Sequence, residues 1–358
     1  MSARSTASQP RRLARRCSRG SRRKAPSSQG ATSHSPALGM RFLVRAGARF
    51  GPSLLAHRRE AARRHILPAP APAGRRIEMG QFQRHQVGNA EIIALQDSWT
   101  AMPPSMFYPD VPADAWAAYG EFLDGDGNLT LNLGAWLVVS EGNTVLVDTG
   151  LGGRPAPMPL KEDTALPSVM EAAGVPPTDV DYVVYTHLHF DHTGWNTVDD
   201  DGAVVPLFPN ARHVVQQTEW DYWTGSDELR AAAQYDNVLG PIESAGLLDL
   251  VEGEHAVTSE LVTVPTPGHT PGHVSFVLAS GGERAYLIGD AAHQPVQVCE
   301  DGWCAGADID KVSSAASRKA LMSRIEEEGA LIASGHFPFP GLGHAVSGDG
   351  GRAYRPLD

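Results

Sequence analysis

The sequence predicts a layered α/β fold over most of its length. From residue 79 onward, short apolar runs alternate with runs that have helical periodicity. Apolar residues make up 42% of the 358 residues, which is typical of a globular protein with a buried core. Strands that alternate with helices in one apolar-rich chain indicate sheets with helices packed on their faces.

Each predicted strand is a short run of β-branched and apolar residues between turn signals. The strands are predicted at Glu91–Gln96, Gly134–Val139, Thr144–Asp148, Tyr182–Tyr185, His213–Gln216, Leu261–Val264, His273–Leu278, Ala285–Ile288 and Leu331–Ala333. Each predicted helix has apolar residues at helical spacing. The helices are predicted at Ala165–Ala173, Glu219–Trp223, Asp227–Tyr235 and Ala315–Glu328. No internal repeat is evident in this order of elements.

The charge distribution divides the chain near residue 78. Of the 30 Lys and Arg residues, 18 fall in residues 1–78, whereas that segment holds only 2 of the 41 Asp and Glu residues. The segment is rich in Arg, Ser, Ala, Pro and Gly and lacks sustained periodicity, so we expect it to be disordered. We therefore expect an Arg-rich extension over residues 1–78 and a folded domain over residues 79–358. The extension is compatible with a transit peptide, a start codon read upstream of Met79, or a functional basic arm.

Composition also limits partners and location. The acidic excess of residues 79–358 would repel a phosphate backbone, so a small-molecule substrate is expected and nucleic acid is not. No run of eighteen apolar residues exists, so no membrane span is expected. Cys17, Cys299 and Cys304 are too few for a disulfide framework, which favours free thiols and a cytoplasmic protein.

The densest set of candidate metal ligands follows the apolar strand at 182–185. His187 and His189 are two residues apart, so on an extended chain their side chains point the same way. Asp191 and His192 follow where the chain is expected to turn into a helix. Imidazole nitrogen and carboxylate oxygen are ligands for zinc and similar metals. A lone histidine at a strand end is usually structural, but four ligand-type residues in this order indicate a metal site that faces two positions.

The segment HLHFDH resembles the HxHxDH signature of the metallo-β-lactamase superfamily. Other segments resemble that family's motifs in the same order: VLVDTG at 145–150, TPGHTPGH at 266–273, LIGDA at 287–291 and SGH at 334–336. The resemblance covers roughly residues 80–345. It implies an αββα sandwich, in which two mixed β-sheets are flanked by helices.

The resemblance also implies a site for two divalent metal ions, with Zn²⁺ as the first expectation and Mn, Fe or Co as alternatives. One ion would be held by His187, His189 and His269, the second by Asp191, His192 and His336, and both by a bridging Asp290. His273 is left out of the ligand set, although it lies four residues past His269. Asp148 is a candidate for orienting a ligand histidine.

Such a site implies a dinuclear-metal hydrolase that uses a metal-bridging hydroxide to cleave a lactone or ester-type substrate. Asp191 is placed to handle a proton as well as to bind metal. The segments FPNARHVVQQTEWDYW at 208–223 and HFPFPGLGH at 336–344 resemble the branch of N-acyl homoserine lactonases and methyl-parathion-hydrolase-like enzymes. Lactonases of this branch place a tyrosine three residues after the bridging aspartate. This chain has His293 there, which can still donate a hydrogen bond and is our second candidate catalytic residue.

Several alternatives remain open. The same site is compatible with an organophosphate hydrolase, a β-lactamase, a glyoxalase-II-like thioesterase or a mononuclear-iron sulfur dioxygenase. An aromatic-rich stretch from Trp99 to Trp136 is expected to form either a wall or lid over the metals, or core or homodimer packing. Its members are Phe107, Tyr108, Trp116, Tyr119 and Phe122.

Overall fold

The computed structural model describes residues 81–348 and 351–357. The extension expected over residues 1–78 and Cys17 therefore lie outside the described residues. The strands are β1 Phe82–Val87, β2 Ala90–Met102, β3 Leu129–Ser140, β4 Asn143–Val147, β5 Tyr182–Val184, β6 Thr197–Asp200, β7 Ala203–Pro206, β8 Arg212–Gln216, β9 Leu248–Val251, β10 Leu261–Pro265, β11 Val274–Ser280, β12 Glu283–Leu287, β13 Leu331–Ala333, β14 Leu342–Gly348 and β15 Gly351–Pro356.

The helices are α1 Pro104–Phe107, α2 Leu166–Ala172, α3 Phe190–Thr193, α4 Gln217–Thr224, α5 Asp227–Ala232, α6 Tyr235–Val238, α7 Gly240–Ser244, α8 Val296–Cys299 and α9 Lys311–Glu328. The longest, α9, begins after Asp310, whose side chain accepts from the amides of Val312 and Ser313. It ends at Gly329, which has the left-handed φ of 61° that favours glycine. Across the described part of the chain, no helix is long and apolar enough to cross a membrane.

Two mixed sheets hold thirteen of these strands, and β6 and β7 form a separate hairpin. The first sheet has the order β1-β2-β3-β4-β5-β8-β9, antiparallel up to β4 and parallel from β4 to β9. The second has the order β10-β11-β12-β13-β14-β15, antiparallel except for the parallel pair β12 and β13.

Three apolar clusters define the layers. The central cluster joins the inner faces of the two sheets and includes Ile92 of the first and Phe276 of the second. A second cluster packs α2 and α4 on the outer face of the first sheet. A third packs Leu321 and neighbouring side chains of α9 on the outer face of the second sheet. The predicted αββα sandwich is therefore confirmed.

The predicted elements are present, with shifted ends in most cases. The strand Leu331–Ala333 has the predicted bounds. The helix predicted over Asp227–Tyr235 is wrong in one respect, because it breaks after Ala232 and restarts at Tyr235. Gln234 lies at the break with a left-handed φ of 52°, which ends helical geometry. The hairpin β6–β7, the edge strands β1, β9 and β15, and β14 next to the edge were not predicted.

Candidate metal centre

The seven predicted ligand residues converge at one end of the sandwich. His187, His189, Asp191 and His192 follow β5, and His269 lies between β10 and β11. The other two, Asp290 and His336, follow β12 and β13, which are parallel neighbours and therefore end at the same edge of their sheet. The structure thus brings together residues that lie up to 149 positions apart in the sequence.

One group of histidine nitrogens lies around Oδ2 of Asp290. This oxygen lies 3.1 Å from His269 Nε2 and 3.6 Å from His187 Nε2. His189 Nδ1 lies 2.9 Å from both of those nitrogens. Two nitrogens bound to one tetrahedral zinc stand about 3.3 Å apart, given metal–nitrogen distances near 2.0–2.1 Å. The ligand atoms of these four side chains are therefore close enough together to bind one metal ion.

A second group surrounds the other oxygen of the same carboxylate. Asp290 Oδ1 lies 3.1 Å from His336 Nε2 and 3.3 Å from His192 Nε2, and those two nitrogens are 3.2 Å apart. Asp191 completes the group, with its carboxylate 3.7 Å from His336 Nε2 and 3.9 Å from His192 Nε2. Asp290 therefore faces both groups, one with each oxygen.

The donor set fits two divalent cations. Asp290 Oδ1 is buried and, within the described residues, has no hydrogen-bond partner despite the nitrogens around it. Burial lowers the pKa values of His187 and His189 well below the ordinary value, which favours the neutral imidazole that coordinates metal. Burial opposes ionisation of Asp290, but the surrounding histidines, His336 and His192 foremost, lower its pKa well below the ordinary value. His187, His189 and Asp290 thus supply lone pairs and negative charge, whereas Asp290 raises the pKa values of His192, His269 and His336 against the effect of burial, so these rings would release protons on binding metal.

Asp148 orients one histidine of the second group. Its Oδ2 lies 2.8 Å from His192 Nδ1, and its two oxygens also accept from the amide and the hydroxyl of Thr186. Asp148 has a left-handed φ of 61°, a conformation that is uncommon outside glycine and that often marks functional positions. This is the orienting contact that the sequence predicted for Asp148, and it leaves His192 Nε2 free to face Asp290.

Two further orienting contacts were not predicted. The ring of His336 uses its Nδ1 at 2.8 Å from the carbonyl oxygen of Asn132. The ring of His269 uses its Nδ1 at 2.8 Å from Asp308 Oδ1. Donation from Nδ1 fixes the tautomer and leaves Nε2 as the atom that can bind metal.

His273 has no free nitrogen. Its Nδ1 lies 2.9 Å from the hydroxyl of Thr266, and its Nε2 accepts from the backbone amide of Asp290 at 3.0 Å. Burial lowers its pKa to about 3, so the ring is neutral and can accept that bond. His273 therefore holds the peptide of Asp290 in place, in agreement with its omission from the predicted ligand set.

His293 lies beside the centre, with its ring against the Asp290 carboxylate. The ring is 2% exposed, and its Nε2 lies 3.1 Å from Asp290 Oδ2. Neither nitrogen has a hydrogen-bond partner among the described residues. The ring of Phe107 packs edge-on against it, with centroids 5.2 Å apart. A buried, unpaired donor next to the metal positions is available for a bound substrate.

The aromatic stretch divides between the two expected roles. Phe107 lies against His293 and thus borders the centre. Tyr108 and Trp116 instead lie in a buried cluster with Leu129 and Val296. The hydroxyl of Tyr108 donates to a buried glutamine side chain at 2.8 Å. Core packing therefore accounts for Tyr108 and Trp116, and Phe107 alone of these three reaches the site.

Glu219 joins two of the loops that carry the candidate ligands. Its carboxylate accepts from the amide of Leu188 at 3.0 Å and from the amide of Gly272 at 2.9 Å. It also accepts from the indole of Trp223 at 2.7 Å, and that ring packs against His189. A Cβ on Gly272 would lie 2.3 Å from the backbone nitrogen of Glu219, so only glycine permits this approach. The sequence offered one signal, an acidic residue directly before Trp220 and four residues before Trp223 on the buried face of a helix.

Replacing Glu219 with glutamine is expected to destabilise the protein by about 1–3 kcal/mol, because the amide group of glutamine cannot accept from every donor and leaves a buried N–H unpaired. The free energy of unfolding from urea titration measures this. Asp221→Asn on the exposed face of the same helix is the matched control, since Asp221 contacts only the Gln217 side chain there. Equal stability of the two variants would contradict the role of Glu219.

Comparisons with known proteins agree with this geometry. The family model of the metallo-β-lactamase superfamily matches residues 135–336, more than half of the chain. N-acyl homoserine lactonase AttM of Azorhizobium caulinodans is 29% identical over 187 residues, which cover 50% of this chain and 66% of AttM. N-acyl homoserine lactonase AiiA of Bacillus thuringiensis subsp. kurstaki is 28% identical over 225 residues, which cover 58% of this chain and 82% of AiiA.

Among solved structures, AidC has a similar fold. AidC is described as a dizinc quorum-quenching lactonase, and its structure contains the product of its reaction. The two folds superpose with a TM-score of 0.68 at 23% identity, over 77% of this chain and 97% of AidC. The fold, the order of the motifs and the matched family model give one conclusion: this chain belongs to the metallo-β-lactamase superfamily.

Proposed function

We propose that this chain is a dinuclear-metal hydrolase that opens lactones. The observation that carries the proposal is the arrangement around Asp290. Two ligand groups share this buried carboxylate, and His293 lies beside it with no ring nitrogen hydrogen-bonded within the described residues. The similarity to N-acyl homoserine lactonases supports the lactone as substrate. The catalytic domain in this proposal spans residues 79–358.

In this proposal, His187, His189 and His269 would hold one ion, Asp191, His192 and His336 would hold the other, and Asp290 would contribute to both. Zinc is the proposed metal, because the donors are imidazoles and carboxylates and because AidC is a dizinc enzyme. Two divalent ions in such a site supply an activated water as nucleophile and polarise the carbonyl that it attacks.

The side chains then have distinct tasks. Asp191 is the more exposed of the two candidate carboxylates, with 14% of its side chain accessible against 4% for Asp290. It can therefore receive the proton that the nucleophile loses and pass it to the leaving oxygen or to solvent. His293 donates a hydrogen bond to the carbonyl oxygen as negative charge develops there. Phe107 shields the ring of His293 from water.

The charges near the centre favour an uncharged substrate. A β-lactam carries a carboxylate that needs a cationic anchor. Arg212 and Arg284 lie at the opposite ends of their strands and pair with Asp249 and Glu328. Arg318 lies close to the centre but is fully buried and bonded to protein oxygens. An uncharged lactone needs only an apolar border and one donor to its carbonyl.

A comparison of substrates tests the proposal. Initial rates of the zinc-loaded protein are measured with an N-acyl homoserine lactone, an aryl ester, a phosphotriester and a penicillin at equal concentration. We expect the lactone to exceed the penicillin by at least about tenfold, a difference of about 1.4 kcal/mol in activation free energy. A penicillin or phosphotriester that reacts about tenfold faster than the lactone would overturn the substrate assignment. Metal analysis of the same sample separates two zinc ions per chain from the single iron of a dioxygenase.

A further inference from the structure

The longest helix places a buried positive charge beneath the metal centre. Arg318 of α9 is 0% exposed, which is rare for arginine. Its guanidinium donates to the carbonyl oxygens of Ala291, Asp301 and Trp303 at 2.6–2.8 Å, to the hydroxyl of Ser314 at 2.9 Å and to Asp308 at 3.4 Å. A desolvated guanidinium is costly unless its donors are used, and here they are.

The first of these contacts reaches the end of the turn that contains Asp290. Asp290 lies in a short 3₁₀ turn, Gly289–Ala291, directly after β12. Arg318 Nε donates to the carbonyl oxygen of Ala291 at 2.6 Å. Together with the bond from the Asp290 amide to His273, this contact holds the turn from both sides.

The second contact reaches His269 through Asp308. One oxygen of Asp308 faces His269 Nδ1 at 2.8 Å. The other accepts from the hydroxyl of Ser314 at 3.0 Å, from the amide of Ala305 at 3.2 Å and from Arg318. The carboxylate is therefore fixed on both oxygens, and its side chain has no exposed surface.

We propose that Arg318 and Asp308 are positioning residues of the metal centre, which together fix the ring of His269 and the turn that contains Asp290. The proposal rests on the proposed metal-binding role of those two ligands. A carboxylate behind a ligand histidine holds the ring in the tautomer and orientation that coordination requires, and losing it typically weakens metal binding about 10–100-fold. Because α9 carries Arg318, the helix on the outer face of the second sheet becomes part of the metal site.

Zinc binding without substrate tests the proposal. In Asp308→Asn, the side chain keeps its size, but its NH₂ group must face either His269 or the donors on its other side. We expect one of the two zinc ions to bind about 10–100-fold more weakly, measured by competition with a chromophoric chelator. Asp310→Asn is the matched control, because Asp310 caps the same helix and its side chain contacts only the first turn of that helix.

A second variant tests the part played by Arg318. Arg318→Lys keeps the charge but loses the planar fork of donors. We expect the ion at His269 to be weakened and, through the turn of Asp290, the other ion as well. The double variant with Asp308→Asn should be less affected than the sum of the two changes, since part of the effect of Arg318 passes through Asp308. Circular dichroism verifies that each variant is folded.

Three results would overturn the proposal. They are a folded Asp308→Asn that binds both ions with unchanged affinity, an equal loss in Asp310→Asn, and fully additive losses in the double variant. The measurement uses Zn²⁺ alone, so a wrong substrate class would leave it unchanged. If the metal assignment itself is wrong, the parent protein without any substitution will bind no zinc.

Discussion

Replacing Asp290 with alanine is expected to remove metal from both positions and to lower kcat/KM by on the order of a thousand-fold or more. A single well-placed electrostatic donor is already worth about 10²–10³ in rate, and this substitution removes the one side chain that faces both ligand groups. It also leaves the nitrogens of His269 and His336 without the negative charge between them. Metal content by mass spectrometry and kcat/KM on the preferred substrate measure the two effects.

Asp249→Ala is the control for this experiment. Asp249 is a partly exposed carboxylate on β9 that pairs with Arg212 away from the centre, and an exposed pair of this kind contributes about 0–1 kcal/mol to stability. It should keep both metals and full activity. If Asp290→Ala retained two ions per chain, or retained the parent's kcat/KM, the bridging role would be wrong.

The sequence predicted the candidate ligands in two ways. Spacing within one segment identified the first ones, and the order of family motifs identified the others. His187 and His189 are two apart on a strand end, so spacing alone places them on one face. His269, Asp290 and His336 have no such local signal and were identified only because their motifs follow in the family's order. Asp290 and His336 reach the same edge because β12 and β13 run parallel and end together, and His269 comes from the loop between β10 and β11.

The residues that orient the candidate ligands could not be predicted, because their role depends on contacts between distant segments. Asp308 lies 39 positions from His269, in a loop whose sequence has no periodic pattern. Arg318 looks in sequence like an ordinary polar residue of a helix, and its complete burial depends on the carbonyl groups that surround it. The strand β14 was missed for a local reason, since its run LGHAVSG is rich in small residues and has weak strand propensity.

The centre has a donor that is still unused within the described residues, and its removal is the sharpest test of catalysis as distinct from metal binding. His293→Ala is expected to lower kcat about 10–1,000-fold, the range for removing one donor aimed at developing charge. Metal content should stay at the parent's level, because the seven proposed ligands are intact. The backbone amide of His293 already donates to Gln297 at 2.6 Å, so the local turn does not depend on the imidazole.

A paired variant separates the hydrogen bond from the volume of the ring. His293→Gln keeps an N–H donor near the position of Nε2, whereas His293→Ala removes both donor and bulk. We expect glutamine to restore part of kcat, with KM changed less than kcat, because a donor to developing charge acts mainly on the transition state. Equal rates for the parent and His293→Ala would show that the unpaired nitrogens serve no step of the reaction. A loss of kcat accompanied by loss of zinc would instead assign His293 to holding the centre together.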